Sequence, residues 1–414
     1  MIKIGITGQA GFVGTHLYNT LGLHPDQFER IAFEDAFFQD EAKLNAFVQS
    51  CDAIVHLAAM NRHNDPEVLY RTNIGLVKQL ITACETTQSK PHILFSSSTQ
   101  EERDNLYGRS KKEGRELFEQ WAERNDAQFT GLVIPNVFGP FGNPYYNSVI
   151  ATFCHQLTHN ETPKIEVDGE IKLIYVGELV EVIIKKIIET QIKNGTQITQ
   201  MLRMNTDCPD KSGDNKISDN PSDQYHQRSI GVYQVPHTSE IKVSVLLQKL
   251  TEFKENYFGK GTIPNLDNPF DRNLFNTFLC YIDHSTFFPF KLKLNTDDRG
   301  SFVETVKLNS GGQVSFSTTV PGITRGNHFH TRKAERFAVI KGKAQIELRR
   351  IGTEQVLSFE LNGKEPSFVD MPVWYTHNIT NTGEEELYTI FWINEHFDAN
   401  DPDTYFEEVQ ITRI

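Results

Sequence analysis

The stretch "IKIGITGQAGFVGTHL" (2–17) limits what this chain can fold into more than any other. Strand-forming residues run into a turn with glycine at positions 8, 11 and 14, and a helix-like pattern opens directly behind it. So tight a turn needs residues without a Cβ, both at the bend and where a bound group must approach the backbone. The pattern therefore predicts a strand–turn–helix unit whose helix N-terminus receives a pyrophosphate, built from Gly8, Gly11, Phe12, Val13 and Gly14. The runs "AIVHLAA" (53–59), "HILFSSS" (92–98) and "TGLVIPNVFG" (130–139) then alternate with helix-like stretches over 67–87 and 108–125. That rhythm predicts βαβ units and a doubly wound parallel sheet. Leu57 and Ala58, at the end of the "AIVHLAA" run, are expected to line the dinucleotide.

The pattern does not last. From about 195 to 229 the chain is rich in Asp, Asn, Ser, Gly and Pro, which reads as a mobile surface insertion. Helical spacing returns over 238–258, and after about 280 short strands separated by turn residues take over ("GQVSFSTTV", "RFAVIKGKAQIELRRI", "LYTIFWIN"). A chain of 414 residues is long enough for two cores. The expected division is a nucleotide-binding α/β domain over 1–265, a linker over 266–281 and an all-β barrel or sandwich over 282–414. A net charge of −13 speaks against nucleic acid and against an anionic membrane surface. No signal-peptide pattern and no long apolar run is present, and five scattered cysteines without a CxxC read as reduced thiols of a cytoplasmic protein.

Two clusters of reactive residue types stand out. "YGRSK" places Tyr107 and Lys111 one helical turn apart on one face. There a lysine would lower the phenol's pKa and let it exchange a proton at neutral pH. "LFSSST" just upstream can bring a hydroxyl to the same carbonyl. This constellation resembles the extended short-chain dehydrogenase/reductases. The resemblance implies Tyr107 as acid and base, Lys111 as its partner and holder of the nicotinamide ribose, and Ser98 as the group polarising the substrate oxygen, with Ser97 as competitor. "PNVFGP" (135–140) matches that family's segment beside the nicotinamide and sugar. Near "AFEDAFF", Glu34 or Asp35 could take a ribose hydroxyl in the manner of NAD enzymes, and no arginine follows to receive a 2′-phosphate.

The second cluster lies in "GITRGNHFHTRKAERFAVIKG" (322–342), where His328 and His330, two residues apart, share a strand face. With "PVWYTHNITN" downstream, the spacing resembles the two cupin motifs, Trp374 standing where the second motif has glycine. The resemblance implies that His328, His330, Glu335 and His377 hold a divalent metal, zinc or a similar first-row ion. "DDRGSFVE" (297–304) resembles the signature of the deoxysugar-nucleotide 3,5-epimerases. Metal ligation by the histidines then leaves Lys333 and Tyr375 as candidates for proton transfer.

An extended reductase joined to a metal cupin resembles the CapF family of bifunctional capsular-polysaccharide enzymes. That resemblance implies C3 epimerisation and C4 reduction of a UDP-4-keto-sugar on the way to UDP-N-acetyl-L-fucosamine, with NADPH as reductant, NADH as the alternative, and a homodimer. Two other readings fit the glycine turn: a UDP-sugar 4-epimerase or dehydratase with a ligand-binding cupin, and a non-enzymatic NAD(P)-sensing regulator. The intact Tyr107 and Lys111 speak against the regulator.

Overall fold

The computed structural model describes residues 1–193, 230–298 and 300–411. The expected insertion at 195–229 lies outside the described residues, as does Arg299 of the "DDRG" stretch. The chain divides into two compact units, Met1–Val137 with Val176–His237, and Phe138–Tyr175 with Thr238–Ile414. Among the described residues no helix is long and apolar enough to cross a membrane. The four described cysteines, Cys51, Cys84, Cys154 and Cys280, are free thiols.

The first unit is wound around strands β1 (Ile2–Thr7), β2 (Phe28–Ile31), β3 (Ala53–His56), β4 (His92–Ser98) and β5 (Phe129–Ile134), with helices α1 (Phe12–Gly22), α2 (Glu41–Ser50), α3 (Pro66–Thr87) and α4 (Leu106–Asn125) between them. The sheet order is β2-β1-β3-β4-β5 followed by the strand Ile230–Gln234, and every pair is parallel. Strands covered on both faces are apolar nearly throughout, as β3 and β5 are. Phe47, Ile54, Leu80, Phe95, Phe118, Trp121 and Phe129 form the core on one side, each large ring contributing about 1.5–3 kcal/mol by leaving water. The order reverses between β1 and β3, so their carboxyl ends form the crevice where doubly wound sheets bind ligands.

In the second unit the helix read over 238–258 begins only at Val243 and runs to Lys260. Ser239–Lys242 instead pairs antiparallel with Glu170–Tyr175, placing Ile241 opposite Ile171. Within 266–281, expected as a linker, Pro269–Leu279 is a helix, capped by Asn268 and burying Leu274, Phe275 and Phe278. Among the described residues the all-β part has, besides a small hairpin of Leu294–Asp297 with Gly300–Val303, two five-stranded antiparallel sheets. One runs Phe290–Lys291, Ser367–Met371, Glu335–Lys341, Leu387–Ile393, Gln313–Thr319, and the other Val356–Asn362, Lys343–Arg350, Tyr375–Asn381, Thr324–Phe329, Tyr405–Phe406. Ala338, Val339, Ile346, Leu348, Phe359, Phe368 and Ile379 make one apolar core from both sheets. The same unit buries Arg336, whose guanidinium clasps the Asp370 carboxylate at 2.7 and 2.8 Å, donates to the Gly261 carbonyl and lies 3.5 Å above the Phe368 ring.

Candidate functional sites

In the first unit the glycine turn has the geometry its spacing predicts. Gly8 sits at φ +72°, and a Cβ there would stand 2.8 Å from the Ala58 amide; at Gly14 a Cβ would meet the Gly8 carbonyl at 2.3 Å. The turn therefore packs against Leu57–Ala58 at the end of β3, and α1 packs against the turn. Helix α1 opens at Phe12 with Gly11 as N-cap and no side-chain cap, so the first-turn amides are left for an anion. This cradle fits the pyrophosphate of a dinucleotide. Strand β2 ends at Ile31, and Glu34 is exposed at the start of a short 3-10 helix, Asp35–Gln39.

Helix α4 carries Tyr107 and Lys111 one turn apart. Lys111 is buried; its Nζ donates to the Ser96 carbonyl at 2.9 Å and lies 5.8 Å from the Tyr107 ring centre. Burial, only partly offset by the charge of Glu101, brings its pKa down to about 8. Of the two serines, Ser97 gives its hydroxyl proton to Glu101, which Arg115 grips at 3.0 Å. Ser98 Oγ accepts the Gln100 amide, a bond that does not use its own proton. Glu101 is thus tied into an ion pair with Arg115. Sequence reading missed Asn73 of α3. Its side chain bonds both the amide and the carbonyl of Met60 and donates to Ser110 Oγ at 3.1 Å, fastening α4 beside the crevice. A buried asparagine within an otherwise apolar helix face was the available signal.

In the second unit His328, His330, Glu335 and His377 converge, with their ligand atoms within 4.8 Å of one another. The strand Thr324–Phe329 brings His328 opposite His377, and Glu335 comes from the other sheet. Glu335 Oε2 stands 3.1, 3.4 and 4.0 Å from Nε2 of His377, His330 and His328. Oε2 and the Nε2 atoms of His330 and His377 are buried without a hydrogen bond. Meanwhile Nδ1 of His330 is bonded to the Asp403 carbonyl, and that of His377 lies 3.3 Å from the Tyr375 carbonyl. Outer nitrogens anchored on carbonyls leave the inner lone pairs aimed at one point, which is what a divalent ion requires. Burial opposes ionisation of Glu335, but the imidazoles of His330 and His377 directed at it outweigh burial and hold the carboxyl well below its usual range. Burial, with the neighbouring charges of His377 and His330, takes His328 down to about 4 and so keeps it neutral. Three imidazoles and a carboxylate fit zinc or a related first-row ion.

Trp374 stands at φ +63°, the left-handed conformation that explains why the cupin motif favours glycine there. Its amide donates to the His330 carbonyl at 2.7 Å and its ring stacks on Phe329. The two candidates for proton transfer are placed differently. Lys333 is buried, with its amine 2.8 Å from the Pro402 carbonyl. Tyr375 shares strand and face with His377, its ring lies against His284 and Phe141, and burial pushes its phenol up.

Residues 4–197 match the NAD dependent epimerase/dehydratase family, and residues 295–405 the family described as polysaccharide biosynthesis C-terminal domain. The UDP-2-acetamido-2,6-β-L-arabino-hexul-4-ose reductase of Pseudomonas aeruginosa is 32% identical over 408 residues, covering 98% of both chains. The crystal structure of the capsular polysaccharide assembling protein CapF of Staphylococcus aureus is 34% identical, with a TM-score of 0.57 over 99% of this chain and all of that one. A further similarity, 26% over 123 residues (27% of this chain, 82% of the relative), is to the spore coat polysaccharide biosynthesis protein SpsL of Bacillus subtilis.

Proposed function

This chain belongs to the family of the UDP-2-acetamido-2,6-β-L-arabino-hexul-4-ose reductase and CapF, and from that membership we propose that it converts this UDP-4-keto-sugar in two steps, C3 epimerisation and C4 reduction. The product would be UDP-2-acetamido-2,6-dideoxy-β-L-talose, the precursor of UDP-N-acetyl-L-fucosamine. We assign reduction to residues 1–265 and epimerisation to a cupin over 282–414, with 266–281 joining them, in a cytoplasmic homodimer. The observation that carries this reading is that one chain holds both a Tyr107–Lys111 pair on a dinucleotide-binding sheet and a buried cluster of three histidines and a glutamate.

For reduction, the glycine turn Gly8–Gly14 and Lys111 would hold NADPH, with NADH as the alternative, which would supply a hydride to C4. Tyr107 delivers the proton to the C4 oxygen, and Lys111 stabilises the phenolate left behind. Because its amine is desolvated and already anchored on Ser96, Lys111 holds a fixed position relative to the phenol. Ser98, whose proton is uncommitted in its bond to Gln100, polarises the C4 oxygen better than Ser97, which Glu101 engages.

For epimerisation, a divalent ion held by His328, His330, Glu335 and His377 would supply Lewis-acid polarisation of the C4 oxygen, making the C3 proton acidic. Tyr375, kept protonated by burial, suits return of a proton to C3 on one face after the C3 proton has been taken from the other, a removal for which Lys333 is the other candidate. Lys333 is the weaker candidate because Pro402 engages its amine.

Incubation with the 4-keto UDP-sugar in deuterated water, with and without NADPH or NADH, tests both halves. Deuterium at C3 without reductant together with stoichiometric cofactor oxidation is expected. Turnover without net consumption of added cofactor would replace this reading with a 4-epimerase or dehydratase.

A further inference from the structure

Asp403 lies in a segment to which the sequence assigns no role. It is 2% exposed and adopts φ +42°. Its carboxylate accepts from the amides of Thr331, Arg332 and Lys333 at 3.1, 3.0 and 3.1 Å and from Thr331 Oγ1 at 2.6 Å, while its carbonyl receives His330 Nδ1. The residues that follow touch the other ligand-bearing segments. Tyr405–Phe406 pairs with Thr324–Phe329, with Phe406 opposite His328, and the Thr376 hydroxyl, next to His377, donates to the Glu407 carbonyl. Arg349 clamps this stretch through the Glu407 side chain and the carbonyls of Glu408 and Val409, at 2.7–2.8 Å.

We propose that residues 403–409 are the positioning element of the metal cluster and that Asp403 is its pivot, fixing the tautomer and ring plane of His330 and the course of the loop from His330 to Glu335. The inference rests on the metal reading above and adds residues to it. Two of the four ligands, His330 and Glu335, flank the loop whose three consecutive amides end on a single carboxylate. Without that carboxylate those amides lose their common acceptor, and the loop loses what holds its ends at the ligand spacing. The carbonyl of the same residue takes the outer proton of His330, so one residue sets both the reach of the loop and the direction of a ligand lone pair.

The test measures zinc affinity by competition with a chromophoric chelator, on the full chain, for the parent, Asp403→Ala, Asp403→Asn and Arg332→Met. The last breaks the surface pairs of Arg332 with Asp401 and Glu395 but leaves the Arg332 amide in place. Asp403→Ala should weaken zinc binding by about 10–100-fold, the usual effect of losing a group that orients a ligand, and Asp403→Asn, which keeps one acceptor oxygen and tolerates the backbone angle, by about 3–10-fold. Arg332→Met should stay within about twofold, as for an exposed pair. The visible spectrum of the cobalt-loaded protein should change in both Asp403 variants and not in Arg332→Met. If Asp403→Ala does not fold, Asp403→Asn decides. Parental affinity and spectrum in the Asp403 variants, or an equal loss in Arg332→Met, overturns the proposal. A parent that binds no zinc overturns the metal reading and this inference together, whereas a zinc-binding parent with unaffected variants overturns the inference alone.

Discussion

The dinucleotide cradle is made almost entirely of main chain: helix-terminal amides, a left-handed Gly8 and the contact of Gly14 with the Gly8 carbonyl. The histidine cluster is made of side-chain atoms from two sheets, and one of them, His330, is held by a partner distant in sequence, Asp403, across 73 residues. A site of main chain is specified where the chain turns, so a few neighbouring residues determine it. A site of side chains is specified by everything that orients them, so a change far along the sequence can empty it.

The sharpest test of that contrast is to remove one ligand. His377→Ala should lower deuterium exchange at C3 by about 10³-fold or more, as expected when Lewis-acid assistance is lost, while cofactor oxidation continues. Chelation should copy it, and added zinc should restore only the parent. Exchange that survives both would overturn the metal reading and leave His328 to act as the base. Tyr107→Phe is the converse: reduction should fall by about 10²–10⁴-fold with C3 exchange retained, and loss of both activities would mean one shared site.

Gly14→Ala probes the main-chain site alone. A methyl group 2.3 Å from the Gly8 carbonyl must displace the turn, so NADPH binding should weaken by tenfold or more and stability should fall by about 1–3 kcal/mol, as for overpacking. An unchanged dissociation constant would show that the helix start does not hold the cofactor. Acid tests the core beneath that cradle. Burial lowers His56 and His92 to about 3. Unfolded imidazoles titrate near 6.5, so the unfolded state binds more protons between these values and stability falls as pH drops below about 6.5. The two together should cost about 3 kcal/mol between pH 7.5 and 5.5, read from urea midpoints, and His92→Asn should roughly halve the slope. A slope unaffected by that substitution would place the protonation elsewhere. Gly75→Ala, inside α3 with no atom within 4 Å of the new Cβ, should stabilise by about 0.5–1 kcal/mol. A loss would mean that α3 is not a regular helix there.

The same contrast governs what could be read in advance. The glycine turn, the Tyr-Lys helix, and α3 and α4 to within two residues of their ends were legible because periodicity and spacing are local. The convergence of His328, His330, Glu335 and His377 was legible only through motif spacing, since nothing local brings Glu335 of one sheet to His377 of the other. Ser239–Lys242 was read as helix because "SEIKVSVLLQKL" is compatible with either period until Ile171 is found opposite Ile241. The helix Pro269–Leu279 had an overlooked signal, an asparagine cap followed by proline at the first helical positions. The positioning role of Asp403 was not legible, because a carboxylate that serves three amides 70–72 residues away looks like any acidic turn residue.

The placement of Trp374 has an optical consequence. The chain has three tryptophans: Trp121 is buried in the first unit, while Trp374 and Trp392 belong to the second. Only Trp374 joins the cluster directly, through the His330 carbonyl. With Trp121 and Trp392 replaced by phenylalanine, the remaining indole becomes an intrinsic fluorophore stacked on Phe329, the residue between His328 and His330, so binding of an added divalent ion at the cluster could be followed in real time by emission, without a label.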